Sequence, residues 1–131
     1  SDVYKRQDAQ RLENLRDELQ QRDLVFSFDE GWDASEGAEY GAEKAEEDDA
    51  AGYVYCHMQD VDRLIHTSDL LFGFGTMKTD AELSTAEAVG ERLVEALRAS
   101  GFDPEWDGNP NARVLCQGLV VEFPLADDLT D

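Results

Sequence analysis

The chain has two histidines, and the first lies in the stretch richest in groups able to do chemistry, Gly52-Tyr53-Val54-Tyr55-Cys56-His57-Met58-Gln59-Asp60. A general base must be held in place by a second group. Asp60 or Asp62 could orient His57, with Gln59 as a donor, which describes a hydrolase-like or metal-assisted enzyme. The same residues have a plainer use, in which His57 bonds a backbone carbonyl while Gln59 and Asp60 organise a turn and Asp60 caps the next helix. No serine or cysteine has a neighbourhood that completes a nucleophilic triad, so the plainer use is preferred. A second candidate is Trp106-Asp107-Gly108, either an aromatic lid beside a carboxylate or a core anchor followed by turn chemistry. Together His57, Gln59, Asp60, Trp106 and Asp107 form the candidate binding surface, with no residue assigned a catalytic role.

Other groups are weaker candidates. Asp29, Glu30, Asp33 and Glu36 are dense enough to suggest a calcium loop, but their spacing does not follow the D-x-[DN]-x-[DN]-G pattern, so a solvated acidic loop is expected. Gly73-Phe74-Gly75 lacks the Lys-Ser/Thr of a phosphate loop. Cys56 and Cys116 belong to no CxxC pair and sit in apolar, strand-like surroundings, which predicts two buried reduced thiols. His66 falls at a helix C-terminus, where an imidazole favours the dipole. No cofactor motif is present, and no metal site is expected.

These residues must be carried by regular elements. Leu12, Leu15 and Leu19 recur at helical spacing and predict an amphipathic helix over 8–22. Leu24 to Phe28 alternates as a strand, with Leu24, Phe26 and Phe28 on one face. An acidic Gly/Ala-rich segment follows, read as a loop and a weak helix over 36–47, anchored by Trp32 and Tyr40. Residues 52–58 read as a strand, and Asp60 is placed to cap a short helix over 61–67 whose apolar side is Val61, Leu64 and Ile65. An apolar strand spans 70–77, where Gly73 and Gly75 predict close approach by another backbone or a ligand. The clearest helix runs over 84–100, from the capping-box pattern Ser84-Thr85-Ala86-Glu87 to Gly101. A hairpin of strands 103–106 and 113–123 turns at Asp107-Gly108-Asn109-Pro110, with a bulge or bend at Gly118. The order predicts an α+β fold: a single two-layer domain over 8–124 with about five strands in a mixed or mostly antiparallel sheet, the long helices on one face, and a short acidic tail over 125–131.

Composition narrows the function classes. The 131 residues carry 31 acids against 11 Lys and Arg, a net charge of −20. Outside the first seven residues only Lys44 and Lys78 are lysines. Direct nucleic-acid binding is excluded as an expectation, because no basic patch exists to neutralise phosphates. An acidic, lysine-poor surface is what salt-accumulating cells favour. The sharper alternative is an acidic inhibitor that mimics nucleic acid. With 41% hydrophobic residues the chain should fold, and its apolar runs fall well short of a bilayer span, so a cytoplasmic location without membrane contact is expected. Ser1-Asp2-Val3-Tyr4-Lys5-Arg6-Gln7 resembles the in-frame translation of a transposon-end sequencing adapter, which implies an artefact over 1–7, a missing natural N-terminus and a metagenomic source.

Gly52-Tyr53-Val54-Tyr55 with His57, Gln59 and Asp60, the strand from Leu71 to Gly75, the long helix, and Glu105-Trp106-Asp107-Gly108-Asn109-Pro110 resemble an uncharacterised prokaryotic domain-of-unknown-function family marked by GYV(F/Y)xHxQD and VEWDG motifs. The resemblance covers most of 24–114. Many members also carry a CxxCG-like element after the first strand; here Phe28-Asp29-Glu30-Gly31-Trp32-Asp33 has no cysteine, so the resemblance implies no metal role for this chain. It brings no activity with it. The resulting expectation is a non-enzymatic module that binds a protein or small ligand.

Overall fold

A computed structural model describes residues 2–77 and 83–119, with side chains from Ala9 onward. The elements are α1 (Asp2–Gln21), β1 (Leu24–Phe28), α2 (Ala34–Glu47), β2 (Gly52–Cys56), α3 (Met58–Thr67), β3 (Leu70–Thr76), α4 (Ala86–Ala99), β4 (Pro104–Glu105) and β5 (Val114–Cys116). The expected acidic tail and the far end of the second hairpin strand lie outside the described residues.

The fold is α+β, built on a five-stranded mixed sheet in the order β1-β2-β3-β5-β4. β1 and β2 run parallel, which is possible because α2 carries the chain back between them, and the remaining neighbours are antiparallel. Register then settles the two faces. Leu24, Phe26, Val54, Cys56, Leu70, Phe72, Val114 and Cys116 share one face, and all are buried. Leu12, Leu15 and Leu19 of α1 and Val89, Leu93, Ala96 and Leu97 of α4 close over it, so the two amphipathic helices meet on this face as their spacing predicts. Each large apolar side chain buried here stabilises the fold by roughly 1.5–3 kcal/mol.

The opposite face carries Val25, Ser27, Tyr53, Tyr55, Gly73 and Gly75, and α2 lies across it. Trp32 and Tyr40 are not the anchors expected of the α2 segment, being 61% and 46% exposed. The contact is made instead by Gly37, Gly41 and Ala45, the small buried stripe of α2. A Cβ on Gly37 would come within 2.7 Å of the Tyr55 ring, and one on Gly41 within 2.7 Å of Tyr53. On the other side, Gly75 and Gly73 pair directly with Tyr53 and Tyr55 across β2 and β3. The tyrosine side chains lie over these glycines, 2.3 and 2.1 Å from where a Cβ would stand, so the close approach is made by a neighbouring strand's side chains.

Three local details differ from expectation. β2 stops at Cys56 and α3 begins at Met58, with His57 rather than Asp60 as its N-cap, because Asp60 sits three residues into the turn and bonds back. Ile65 is 61% exposed, since the buried side of α3 is Asp60, Val61 and Leu64. At α4 the cap is Thr85, whose hydroxyl accepts from Ala88 N–H at 3.1 Å, so Ser84 and Glu87 do not form the predicted box. Gly101 ends α4 as expected: its φ is +93°, and Gly101 N–H and Phe102 N–H return to Arg98 O and Leu97 O.

Candidate functional site

On the α2 face, Tyr53, Tyr55 and His57 point the same way by strand alternation, and their rings follow one another at 6.3 Å centroid spacing. His57 ends this row and starts α3. Its Nδ1 accepts the Asp60 N–H at 3.2 Å, while the Asp60 carboxylate accepts the His57 N–H at 3.0 Å, a reciprocal capping box with imidazole in the usual hydroxyl's place. Since Nδ1 is an acceptor, the proton of the neutral ring is assigned to Nε2, which lies 3.3 Å from Asp60 Oδ2.

Asp60 is 2% exposed and so needs a partner. Arg113, at the start of β5, supplies it with both terminal nitrogens: NH1 donates to Oδ1 at 2.8 Å, and NH2 donates to Oδ2 and to Leu71 O. Its guanidinium also stands 5.4 Å from the Tyr55 ring centroid, a cation–π placement. Burial works against the Arg113 charge, yet the hydrogen bonds and charge of Asp60 more than offset it and hold the guanidinium above its ordinary pKa. Arg113 Nε is buried with no hydrogen-bond partner among the described residues. For His57, burial pushes the imidazole below its usual 6.5; Asp60 opposes that shift and Arg113 adds to it.

His57 and Asp60 are therefore brought together, but facing inward. Gln59 is exposed on the first turn of α3. Trp106 and Asp107 do not join them. Trp106 stands on the α4 face, edge-on to Phe74 at 5.7 Å and against Gly90, where a Cβ would lie 2.6 Å from the indole. Its Nε1 donates to Asn109 O and Ala112 O at 3.0 and 3.1 Å. Asp107 is exposed, and its carboxylate accepts the Asn109 N–H at 2.9 Å, which is turn chemistry.

The acidic loop is engaged in local structure: Asp33 caps α2 by accepting Glu36 N–H, Glu36 accepts Trp32 N–H, and Glu30 accepts the Ser27 hydroxyl. Among the described residues no group of three His, Cys, Asp or Glu side chains could hold a metal ion. Both cysteines are free and buried. They lie on strands separated by β3, roughly 10 Å apart by strand spacing, too far for a disulfide. Burial holds the Cys56 thiol well above its ordinary pKa and pushes Cys116 up to about 12, so neither offers a thiolate near neutrality. His66 occupies the last turn of α3, its Nδ1 2.8 Å from Asp62 O.

Arg113 was not among the residues singled out from the sequence. Its partner is 53 positions away, so no spacing reveals the pair. The available signal was chemical: an acid read as a helix cap beside a core strand calls for a cation, and this chain has few.

Residues 3–121 match the family model described as Domain of unknown function (DUF6891), and the chain belongs to that family. No curated protein and no solved structure matches it. No helix among the described residues is long and apolar enough to cross a membrane.

Proposed function

We propose that this chain is a non-enzymatic interaction module that docks a partner protein at the start of α3, on a surface the His57–Asp60–Arg113 network supports from beneath. One observation carries the reading: Trp32, Met58 and Ile65 are 61%, 45% and 61% exposed in a chain whose outer surface is otherwise dominated by acids. Met58 N–H donates to Gly31 O at 2.8 Å, which sets the Trp32 segment beside the first turn of α3. Met58 and Ile65 are seven residues apart and so share one side of that helix. Gln59 lies between them in the chain as an exposed polar group. Large apolar side chains grouped at a surface mark interaction sites more often than scattered single ones do.

The competing enzyme reading needs a histidine lone pair that can reach substrate. In His57, Nδ1 is taken by the Asp60 N–H and Nε2 faces the Asp60 carboxylate, which favours a structural role. A third reading, an acidic mimic of nucleic acid, draws support from the −20 charge and predicts a different salt response.

The test is a pull-down at 0.1 M and about 1 M KCl, a change that shortens the screening length from about 10 Å to about 3 Å. It compares the wild type with Trp32→Ser/Ile65→Ser. The docking reading expects a protein captured at both salt concentrations and lost with the double variant. Capture indifferent to the variant removes this surface from consideration. Capture of a basic nuclease or polymerase only at low salt hands the case to mimicry.

A further inference from the structure

A second feature lies along α4. Along the outer flank of α4, Glu91, Val94, Glu95 and Arg98 fall at i, i+3, i+4 and i+7, and together with Pro104 of β4 and Trp106 they line a groove of about 270 Å³. Trp106 is held firmly there. Its indole N–H is turned to the Asn109 and Ala112 carbonyls, its ring abuts Phe74, and Gly90 supplies the hollow in the helix that lets it sit so close. With its one polar atom used internally, Trp106 offers the groove only π surface and hydrocarbon. Pro104 and Val94 add further apolar lining.

The rim has the matching sign. Glu91 and Glu95, both exposed, stand one helical turn apart on the α4 wall of the groove. Arg98 offsets one of these charges, and Glu95 also lies 3.6 Å from Arg22. Both arginines lie toward Glu95 and the C-terminal side of α4, which leaves the Glu91 end of the groove negative. An aromatic wall, an apolar wall and the Glu91 carboxylate are what a guanidinium or ammonium on an apolar stem requires, because the stem packs while the cation meets both the ring quadrupole and the carboxylate.

We infer that this groove accepts an arginine or lysine side chain from a basic segment of a partner protein. The site is independent of the docking surface at α3: the two use different elements and share no residue, so either can fail without the other.

Trp32 and Trp106 are the two tryptophans, so the full chain carrying Trp32→Phe reports on Trp106 alone by its fluorescence. N-acetyl-arginine amide, titrated at constant ionic strength, is expected to give a saturable change in emission. N-acetyl-citrulline amide, nearly the same shape without the charge, should bind at least threefold more weakly. Glu91→Gln/Glu95→Gln, at exposed helix positions, should weaken the arginine response by about fivefold, the scale of exposed ion pairs. Equal responses to arginine and citrulline, a response untouched by the glutamine pair, or no response to the arginine probe would each overturn the assignment.

Discussion

The residue that invited a catalytic reading, His57, has an unusual structural task, since it caps a helix through an imidazole nitrogen. Such a cap works only while the ring is neutral, because protonation turns the accepting Nδ1 into a donor facing the Asp60 N–H. Burial already lowers the folded-state pKa below the ordinary 6.5. The unfolded chain therefore takes up the proton first as pH falls. The stabilisation that depends on neutral His57 is complete above about pH 6.5 and is lost as pH descends through the depressed folded value. Asparagine caps helices well without titrating in this range. His57→Asn is thus expected to match the wild type within about 1 kcal/mol at pH 7.5, and then to lose less stability than the wild type on acidification to pH 5. The two proteins differ only at this side chain, so the difference between two urea-denaturation series reports what the ring and its contact with Asp60 contribute. Parallel curves from pH 7.5 to 5 would remove His57 from the acid response. Arg113 makes the neighbouring argument from charge: Asp60 is buried, and removing the guanidinium would leave a desolvated carboxylate, the kind of change that costs about 3–5 kcal/mol.

Among the elements, β2, β3 and α2 form a unit held by shape. Tyr53 and Tyr55 fill the space above Gly75 and Gly73 of β3 and beneath Gly41 and Gly37 of α2, so four glycines give two rings their places. Gly73 is an informative position, since a Cβ there would be 2.1 Å from Tyr55 Cζ while no positive φ confuses the result. Gly73→Ala should cost about 3 kcal/mol, the upper range for overpacking, and lower Tm by roughly 10 °C. Gly73→Ala/Tyr55→Leu should lose at least about 1 kcal/mol less than the sum of the single changes, because the clash disappears with the ring. Strict additivity in calorimetry would refute the shape argument. This unit also shows where the sequence was readable. Leu12, Leu15 and Leu19, the α4 stripe and the alternation of Leu24 to Phe28 carry large apolar side chains at fixed spacing, so the helices of one face and most strands were legible with the α+β class. The buried stripe of α2 is made of Gly37, Gly41 and Ala45, which carry almost no hydrophobic signal, whereas the large apolar residues of the segment, Trp32 and Tyr40, face solvent. At the candidate site His57 and Asp60 were legible as neighbours, whereas Arg113 was not, since only the fold joins positions 53 apart.

Across the whole molecule the dominant quantity is charge. With 31 acids and 11 basic side chains, a net −20 is confined to one small protein. Two like charges 10 Å apart in water repel by about 0.4 kcal/mol, and the contributions of many neighbours accumulate to a few kcal/mol that oppose the compact state. Salt acts on this repulsion by shortening the screening length from about 10 Å at 0.1 M to about 3 Å at 1 M. It acts far less on the Asp60–Arg113 pair, which is withdrawn from solvent. Raising KCl from 0.1 to 1 M is therefore expected to stabilise the protein by about 2 kcal/mol, seen as a Tm increase of roughly 8 °C. Salt also has effects unrelated to charge, and the exposed side of α2 separates them. Glu39, Glu43 and Glu46 are all exposed there, four or three residues apart, where like charges repel along a helix. Glu39→Gln/Glu43→Gln/Glu46→Gln should raise Tm at 0.1 M KCl and leave it nearly unchanged at 1 M, so that the variant's salt curve is flatter than the wild type's. If both proteins gain equally from KCl, the stabilisation comes from the salt's effect on apolar hydration, and the acidic surface must be explained by what it binds.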